Sequence, residues 1–446
     1  MDQHVLTINL KKFFSKHLNE DSAFLLGLSG GPDSMALFHW LRENQVPFAV
    51  AHLDHRWRPE SSQEALQLQE MTQKNGIPFH LKVLDPDQLK GNLEDACRNE
   101  RLEFFRELCE EHGYQSVLLG HHQNDLAETV LKRLFEGANL SNLSSMQQVS
   151  SRQNLILWRP LLSIPKSEIL SYLESKKIPY FQDSTNSDPK YLRSKMRQQI
   201  IPDLEQTFGK KIVNPLSQIG SDASELKTYL DEKIQPYLSQ IQSSPFGFSL
   251  DLSQNIPTHP IELKHLIRYF CSMNSLTPSR DALETIAHHL LSQSANRQVS
   301  CQKILIQIDR GRLFIIPDYP SLPEKPYPLS LGSHQLNGWQ ITVNKVNTWG
   351  NPTDWKDLWG NGRAEVILPS GEYELSFPIS NHLYPGKSPL RDWWAKHKVP
   401  AFFRSSVPLL YREKRVVHEF LSGREPLSSQ NLEEGIQVIL EISHIS

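Results

Sequence analysis

Residues 23–34 read Ala-Phe-Leu-Leu-Gly-Leu-Ser-Gly-Gly-Pro-Asp-Ser, and this stretch decides the fold. Ala23–Leu28 is an apolar run that predicts a buried strand, and Met35–Arg42 has the spacing of a helix. The adjacent glycines between them let the backbone approach a ligand closely, and the N–H groups at the start of a helix attract anions. The pattern favours a phosphate-binding turn over the alternative, a Gly-Pro turn that only caps a helix.

The predicted phosphate site has six members: Ser29, Gly30, Gly31, Pro32, Asp33 and Ser34. The two serine hydroxyls can add hydrogen-bond donors to those of the backbone. Asp33 would repel a phosphate unless a cation lies between them, so its presence predicts Mg²⁺ at Asp33. No Gly-Lys-Ser/Thr follows the glycines, which excludes a phosphate loop of the Walker type.

Further apolar runs follow the first strand and alternate with helical patterns: Phe48–Leu53, Phe79–Leu84, Val117–Gly120 and Leu155–Trp158. Strands that alternate with helices predict an α/β domain with a doubly wound, mostly parallel sheet. Ligands of such sheets bind at the carboxyl ends of the strands. The loops after Leu28, Leu53 and Gly120 are therefore the expected walls of a binding site.

The chain has 446 residues, a length that suggests about three domains. We predict a catalytic domain at residues 1–205, a mainly helical domain at residues 206–320, and a small α+β domain at residues 321–446. The stretch Pro317–Leu331 contains five prolines and is the best candidate for a linker.

Composition restricts the class of protein. No apolar run approaches the roughly 20 residues that span a bilayer, and residues 1–20 lack the apolar core of a secretory signal, so we expect a cytoplasmic protein without membrane contact. The four cysteines form no Cys-x-x-Cys pair, which argues against a zinc site or an iron–sulfur cluster. The net charge is −3, so any basic surface for nucleic acid must be local.

Two further motifs contain candidate binding side chains. His52 stands at the end of the second strand, where it could ligate a metal with Asp54 and His55 or form a solvated strand end. Arg98 and Arg101 are three residues apart and share one helix face. They could clamp a phosphate or polarise a carbonyl oxygen, and a solvated basic face is the alternative.

The run Gly120–Thr129 follows the fourth strand and begins a helix. Asp125 and Glu128 are three residues apart, so their carboxylates face the same way. Paired carboxylates can hold a cationic amine or help to hold Mg²⁺. The alternatives are a metal site that includes His121, and an acidic first turn that only stabilises the helix.

The C-terminal part contains a local basic region. Between Lys387 and Arg415 there are eight basic residues and two acidic ones, with aromatic residues interleaved: Trp393, Trp394, Phe402 and Phe403. Basic and aromatic side chains together suit RNA, by phosphate contact and base stacking. For most of the four aromatic residues, burial in a core is the stronger interpretation.

The loop Ser-Gly-Gly-x-Asp-Ser after a first strand resembles that of the N-type ATP pyrophosphatases, the PP-loop family, whose members adenylate a substrate and release pyrophosphate. Within that group the chain is similar to the tRNA(Ile)-lysidine synthetases. The narrower resemblance rests on an ordered run of five segments, with a further match over Leu390–Val399. The segments are Arg159-Pro160-Leu161-Leu162, Lys166-x-Glu168-Ile169, Ile178-Pro179-Tyr180, Asp183-x-Thr185-Asn186-x-Asp188 and Tyr191-x-Arg193-x-Lys195-x-Arg197. The chain departs from the family at Asn124, Leu126 and Ser194, where the pattern has Asp, Gln and Asn.

The resemblance implies a ligase that uses ATP and Mg²⁺ to attach L-lysine to the wobble cytidine of the CAU anticodon of tRNA(Ile). The cytosine carbonyl oxygen attacks the α-phosphate of ATP, pyrophosphate leaves, and the lysine side-chain amine then displaces AMP. The product, lysidine, changes decoding from Met to Ile. The implied partners are tRNA(Ile), ATP and free lysine, and the sequence leaves a homodimer open.

On this resemblance we expect catalysis from Asp33, Arg101, Asp125 and Glu128. ATP is expected at the loop Ser29–Ser34 and His52. Lysine is expected at Asp125 and Glu128, with Asp125 as the group that accepts the amine proton. Nucleotide and tRNA contacts are expected from seven residues: Arg98, His121, Asn186, Arg193, Arg197, Arg391 and Arg404.

Other functions on the same scaffold remain alternatives. A tRNA thiolation enzyme would be expected to use a cysteine pair, and an amidotransferase would need a glutaminase module that the sequence does not show. A tRNA-binding protein that has lost catalysis is motivated by Asn124, Leu126 and Ser194. The intact loop Ser29–Ser34 argues against that last alternative, because binding tRNA alone needs no pyrophosphate site.

Overall fold

The computed structural model describes residues 4–18, 23–56, 60–85, 93–143, 146–152, 154–181, 192–317, 326–336, 338–346, 353–376, 383–384, 388–423 and 435–442. The chain forms two compact units, Met1–Tyr229 and Leu230–Ser446. In the part of the chain that the structure describes, no helix is both long and apolar enough to cross a membrane.

The first unit is built on a six-stranded sheet with the order β3-β2-β1-β4-β6-β5. Its strands are β1 Phe24–Gly27, β2 Phe48–Asp54, β3 Phe79–Val83, β4 Val117–Leu118, β5 Val149–Arg152 and β6 Leu155–Trp158. All neighbours pair in parallel except β5 and β6, which are antiparallel. The predicted doubly wound, mostly parallel sheet is confirmed. The order of the strands reverses at β1: β2 and β3 lie on one side of it, and β4, β6 and β5 lie on the other.

Helices cover both faces of this sheet. They are α1 Val5–His17, α2 Pro32–Glu43, α3 Ser61–Lys74, α4 Leu93–His112, α5 Gln123–Phe135 and α6 Lys166–Lys176. Along β1, Phe24 and Leu26 pack into a core with α1, α2 and α6, whereas Leu25 packs into a second core with α4. Side chains alternate across a strand, so a continuous apolar run is what a sheet covered on both faces requires.

A smaller helical cluster follows the sheet. It contains α7 Leu192–Lys195, a π-helical turn Met196–Ile200, α8 Ile201–Phe208 and the start of α9 Val213–Leu238. Leu126 of α5 is buried against this cluster together with Met196 and Leu216. Leu126, which stands where the family pattern has Gln, is therefore part of the hydrophobic core.

A glycine in α9 permits close contact between α9 and α5. A Cβ on Gly220 would lie 2.8 Å from Val130 Cγ2.

The second unit begins with an antiparallel sheet of order β7-β8-β11-β10-β9. Its elements are β7 Ile241–Ser244, β8 Gly247–Asp251, α10 Pro260–Met273, α11 Arg280–Leu291, β9 Arg297–Cys301, β10 Ile304–Asp309 and β11 Arg312–Ile315. The helices expected in this stretch are present, and the sheet is an addition. A two-residue turn with positive φ at Arg310 and Gly311 joins β10 to β11, and Arg-Gly is a weaker hairpin signal than Asn-Gly.

The remainder of the second unit is α+β. One sheet has the order β12-β16-β19-β20 and another β13-β14-β21-β15. The elements are β12 Tyr327–Leu329, β13 Gly332–Leu336, β14 Trp339–Val346, α12 Trp355–Asn361, β15 Arg363–Pro369, β16 Tyr373–Ser376, β17 Leu383–Tyr384, β18 Ser388–Pro389, α13 Leu390–Lys396, α14 Ala401–Arg404, β19 Leu409–Arg412, β20 Arg415–Glu419 and β21 Gly435–Ile442.

The aromatic residues of the basic C-terminal region belong to this core. Trp394 and Phe403 are buried in it, and Trp393 and Phe402 pack against it. The predicted domain boundaries at residues 205 and 320 stay predictions, and α8 runs through the first of them.

Candidate active site

The phosphate loop lies between β1 and α2, at the carboxyl end of the central strand. Gly30 has a φ of +81°, and a Cβ there would lie 2.4 Å from Phe181 Cδ2. Its carbonyl oxygen accepts a hydrogen bond from the Phe181 N–H at 2.9 Å. Ser34 Oγ accepts from the Ser29 N–H at 3.2 Å and donates to the Gly31 carbonyl at 3.0 Å. These hydrogen bonds fix the backbone of the loop at the first turn of α2. The N–H groups at the start of a helix can bind an anion there.

Asp33 points from the first turn of α2 towards two neighbouring elements. Its Oδ1 accepts from Lys166 Nζ at 2.5 Å and lies 3.7 Å from His122 Nε2. The Asp33 side chain is about a quarter exposed, at 24%. A partly exposed carboxylate beside a phosphate loop can share a cation with a bound phosphate, so Asp33 fits the predicted Mg²⁺. Among the described residues, no group of three or more His, Cys, Asp or Glu side chains could hold a metal by itself.

His52 supports the loop from the second strand. It is buried, and its Nδ1 lies 2.7 Å from the carbonyl oxygen of Leu28, the residue that precedes the loop. Burial lowers the pKa of His52 more than this bond and the nearby Asp54 raise it. A neutral imidazole at neutral pH donates from Nδ1 to that carbonyl, which leaves Nε2 as an acceptor. His52 therefore lies at the base of the loop, and its contact with ATP stays a prediction.

The two predicted carboxylates of α5 meet one guanidinium. Asp125 and Glu128 are both buried. Arg197 Nη2 donates to Asp125 Oδ1 at 2.7 Å and to Glu128 Oε2 at 3.0 Å, and Arg197 Nε donates to Glu128 Oε1. The structure thus brings Asp125, Glu128 and Arg197 together. The pair of carboxylates forms a cation site, and here the chain's own arginine occupies it.

The two carboxylates differ in acidity. Burial raises the pKa of Glu128, and the bonds from Arg197 only partly offset it. Burial acts in the same direction on Asp125, but His122, through its ring and its backbone N–H at 3.0 Å, together with His121 and Arg197, outweighs burial, and the pKa of Asp125 is lowered. Asp125 is therefore the permanent anion of the pair, and Glu128 is the better proton acceptor.

Three arginines, Arg101, Arg159 and Arg193, lie around His121, and Arg98 lies near Arg101 and Arg159. Burial and the neighbouring Arg98 and Arg193 lower the pKa of Arg101. Burial lowers the pKa of His121 to about 3, and Arg159, Arg101 and Arg193 act in the same direction. His121 is therefore neutral near pH 7. Like charges gathered this closely repel one another, and an anion among them relieves the repulsion.

Three further predicted residues are not part of the described portion of the first unit. Arg391 and Arg404 belong to the second unit. Arg404 Nη2 donates to the Val399 carbonyl at 2.6 Å, and burial together with Arg310 lowers the pKa of Arg404. Arg391 is exposed on α13. Asn186 lies outside the described residues.

Two residues of the site were not among the predicted site residues. Arg159 directly follows β6 and is buried, and its Nη1 donates to the Gln147 carbonyl at 2.9 Å and to Ser150 Oγ at 2.8 Å. Lys166 begins α6 and reaches Asp33. The signal for Arg159 was its place at the carboxyl end of a strand, where ligands of such sheets bind. For Lys166, only the packing of α6 beside α2 reveals the contact.

Comparison with known proteins identifies a family for the first part of the chain. The PP-loop domain family matches residues 2–204, the part that holds the loop, α5 and Arg197. A U34-tRNA thiolase from Methanococcus maripaludis is similar in structure, at 18% identity and a TM-score of 0.42, over 50% of this chain and 78% of that one.

Relatives of higher identity cover the chain more fully. A tRNA(Ile)-lysidine synthase from Protochlamydia amoebophila is 37% identical over 449 residues, which span 98% of this chain and 96% of the relative. One from Chlamydia muridarum is 38% identical over 291 residues, 65% of this chain and 90% of the relative. With the PP-loop at the end of β1 and a match along nearly its whole length, this chain belongs to the tRNA(Ile)-lysidine synthase family.

Proposed function

We propose that this enzyme attaches L-lysine to the wobble cytidine of the CAU anticodon of tRNA(Ile), at the expense of ATP, with release of pyrophosphate and AMP. The observation that carries the proposal is the buried pair Asp125 and Glu128, which lies beside the PP-loop and already holds a cation. An adenylating loop beside two carboxylates that can bind an amine suits a reaction that activates one substrate and then transfers an amine to it.

In the first step the loop Ser29–Ser34 binds the leaving pyrophosphate. Its N–H groups and the start of α2 favour negative charge, and charge neutralisation is the main requirement for transfer at a phosphate. Mg²⁺ held at Asp33 would neutralise phosphate charge at this place. The loop thereby orients ATP so that the cytosine carbonyl oxygen can approach the α-phosphate and pyrophosphate can depart in line.

In the second step an ammonium must lose a proton before it can attack. A lysine side chain has a pKa near 10.4, so only roughly 0.04% is neutral at pH 7. Asp125 holds the ammonium as a permanent anion, and Glu128, with its raised pKa, accepts the proton. Arg197 occupies these carboxylates in the structure, so the incoming amine has to share or take over its bonds.

The cluster of Arg98, Arg101, Arg159 and Arg193 suits the anionic parts of the substrates. Arg98 and Arg193 stand close enough to Arg101 to lower its pKa, and the three arginines would gain a counter-ion from the adenylate or from the anticodon backbone. A wobble base splayed out of its loop can be recognised at its edges. Neutral His121 can meet such a base without adding charge.

An incorporation assay tests the proposal. The enzyme is mixed with tRNA(Ile) bearing a CAU anticodon, ATP, Mg²⁺ and labelled lysine, and label in acid-precipitable RNA is counted. Asp33→Ala should abolish ATP-dependent label, whereas Asp222→Ala, an exposed change on α9, should keep it. Pyrophosphate release without label would indicate a different amine. If neither label nor pyrophosphate appears while tRNA still binds, the result would favour a tRNA-binding protein that has lost catalysis.

A further inference from the structure

Helix α5 carries Asp125 and Glu128 near its start and an exposed aromatic residue at its end. Phe135 is the last residue of the helix, and 77% of it is exposed. Two leucines nearby in the sequence, Leu134 and Leu140, are also exposed, at 52% and 63%. Exposed apolar side chains in one region commonly mark a surface that binds a ligand or a partner.

Phe135 lies on the same face of α5 as Glu128. An α-helix turns by about 100° per residue, so seven residues bring the chain back to within about 20° of its first direction. Phe135 follows Glu128 by seven residues, and the rise between them is about 10.5 Å. Leu126, which packs into the core, precedes Phe135 by two and a half turns and lies on the opposite side of the helix.

Lys132 lies on this face between the two residues. It follows Glu128 by four residues and precedes Phe135 by three, so the three side chains are neighbours in a row. Glu128 is buried and Lys132 is exposed, so the face passes from the interior of the site to the surface. Lys132 Nζ lies 3.7 Å from Glu136 Oε1, and an exposed pair of this kind contributes little.

The end of α5 has an excess of positive charge. Lys132 and Arg133 are opposed by one carboxylate, Glu136. Arg133 Nη1 donates to the Asn142 carbonyl at 3.1 Å, a bond that leaves its charge in place. Cations beside an exposed aromatic ring suit single-stranded RNA, in which phosphates and the faces of bases are both accessible.

We propose that Phe135 stacks on a base of the anticodon loop next to the wobble base, with the phosphate between the two nucleotides at Lys132. The inference rests on the proposed function. An amine held at Glu128 has to reach the wobble base, so that base lies beside the first turns of α5. The neighbouring nucleotide then passes along the exposed half of the same helix face.

The spacing on α5 explains why an aromatic ring is needed there. Successive stacked bases are about 3.4 Å apart, whereas Glu128 and Phe135 are separated by about 10.5 Å along the helix. A wobble base that enters the site therefore loses its stacking on its neighbour. Phe135 replaces that lost contact, since every base offers an aromatic face to a ring.

The test is a double-mutant cycle between Phe135 and the bases of a CAU anticodon stem-loop. Each nucleotide next to the wobble position is made abasic in turn, and binding to the full-length enzyme without lysine is measured by fluorescence anisotropy. Phe135→Ala should weaken binding of the unmodified stem-loop by about 5- to 150-fold, the range for one stacked base. One abasic stem-loop should bind the unmodified enzyme equally weakly, and Phe135→Ala should cause it no further loss.

Further variants separate stacking from apolar contact and from charge. Phe135→Trp keeps an aromatic plane and should restore binding, whereas Phe135→Leu keeps only an apolar side chain and should not. Phe208→Ala is the matched control, because Phe208 ends α8 and is 64% exposed; it should bind every stem-loop like the unmodified enzyme. Lys132→Gln should reduce the slope of log affinity against log salt by about 0.7, the value for one phosphate of a single strand.

Unchanged binding in Phe135→Ala, or an equal loss with every abasic stem-loop, would overturn the inference. A changed oligomeric state of Phe135→Ala in sedimentation, without coupling to any base, would also overturn it and assign the patch to a second copy of the chain. The proposed function fails separately, if the unmodified enzyme binds the stem-loop but transfers no lysine to tRNA. The cycle measures binding alone and still decides the role of Phe135.

Discussion

Glu128 and Asp125 lie on one face of α5, and their surroundings move their pKa values in opposite directions. Burial raises the pKa of Glu128, whereas His122 and Arg197 overcome burial and lower that of Asp125. Neighbouring carboxylates with separated pKa values commonly take different roles. The sequence favoured Asp125 as the proton acceptor. The electrostatics of the folded site favour Glu128 as the proton acceptor and Asp125 as the carboxylate that stays ionised.

Substitution of one residue, Glu128→Gln, tests whether Glu128 is the proton acceptor. We expect lysine incorporation to fall by about 10²- to 10⁴-fold, as for loss of a general base. In the unmodified enzyme, activity should rise with pH as Glu128 loses its proton, at a pH above the ordinary glutamate value of 4.5 because its pKa is raised. This rise of activity with pH, the acid limb of the pH profile, should be absent in Glu128→Gln. The measurement is the pH profile of incorporation at saturating ATP.

The matched control is Glu136→Gln, at the exposed end of the same helix, where Glu136 only pairs with Lys132 at 3.7 Å. It should keep both the rate and the acid limb. If Glu128→Gln kept the acid limb while its rate fell, proton transfer would belong to another group and Asp125 would be the next candidate.

At the scale of elements, the loop between β1 and α2 depends on glycine at one position in particular. Gly30 combines a φ of +81° with a neighbour, Phe181 Cδ2, at 2.4 Å from where a Cβ would stand. Gly31 has a φ of −74°, and among the described residues its Cβ would meet Ser29 Oγ alone, at 3.5 Å. Backbone conformation and space therefore distinguish two adjacent glycines that the sequence pattern treats alike.

Gly30→Ala should lower the free energy of unfolding by about 1–3 kcal/mol, through strain and overpacking, and should abolish most ATP binding. Gly31→Ala should change the free energy of unfolding by no more than about 0.5 kcal/mol. Urea unfolding and ATP titration measure the two effects. Equal stability of the two variants would show that the loop relaxes around a side chain at position 30.

The elements themselves were predictable to different degrees. The strands of the first unit were evident because each is buried on both faces and reads as an apolar run. The sheet formed by β7–β11 was not, because its strands are short and one of its turns, at Arg310-Gly311, has little sequence signal. Tertiary pairing rather than local propensity decides such strands.

At the scale of the whole molecule, charge in the second unit bears on tRNA binding. Arg391 is exposed, and Arg310 and Arg391 both lower the pKa of Arg404, whereas Asp309, which pairs with Arg310 at 2.8 Å, raises it. By contrast, Arg363 pairs with Glu365 at 3.2 Å and with Glu441 at 3.1 Å. An unneutralised arginine attracts phosphate, and a paired one does so far less.

Arg391→Gln should therefore weaken tRNA binding and reduce the slope of log affinity against log salt by about 1, with the KM for ATP unchanged. Arg363→Gln is the control and should alter neither. Filter binding of tRNA over a series of salt concentrations measures both. An unchanged salt slope in Arg391→Gln would remove this residue from the RNA contact.

The sequence by itself determined the fold of the first unit, the position of the phosphate loop and the facing carboxylates of α5. These features follow from local rules: apolar runs make strands, adjacent glycines make close turns, and residues three apart share a helix face. Only the tertiary structure decided that Arg197 occupies the carboxylates, that Arg159 joins the arginines around His121, and that Lys166 reaches Asp33. Such contacts join residues up to 133 positions apart, and they depend on how helices pack and what that packing buries, which no local pattern records.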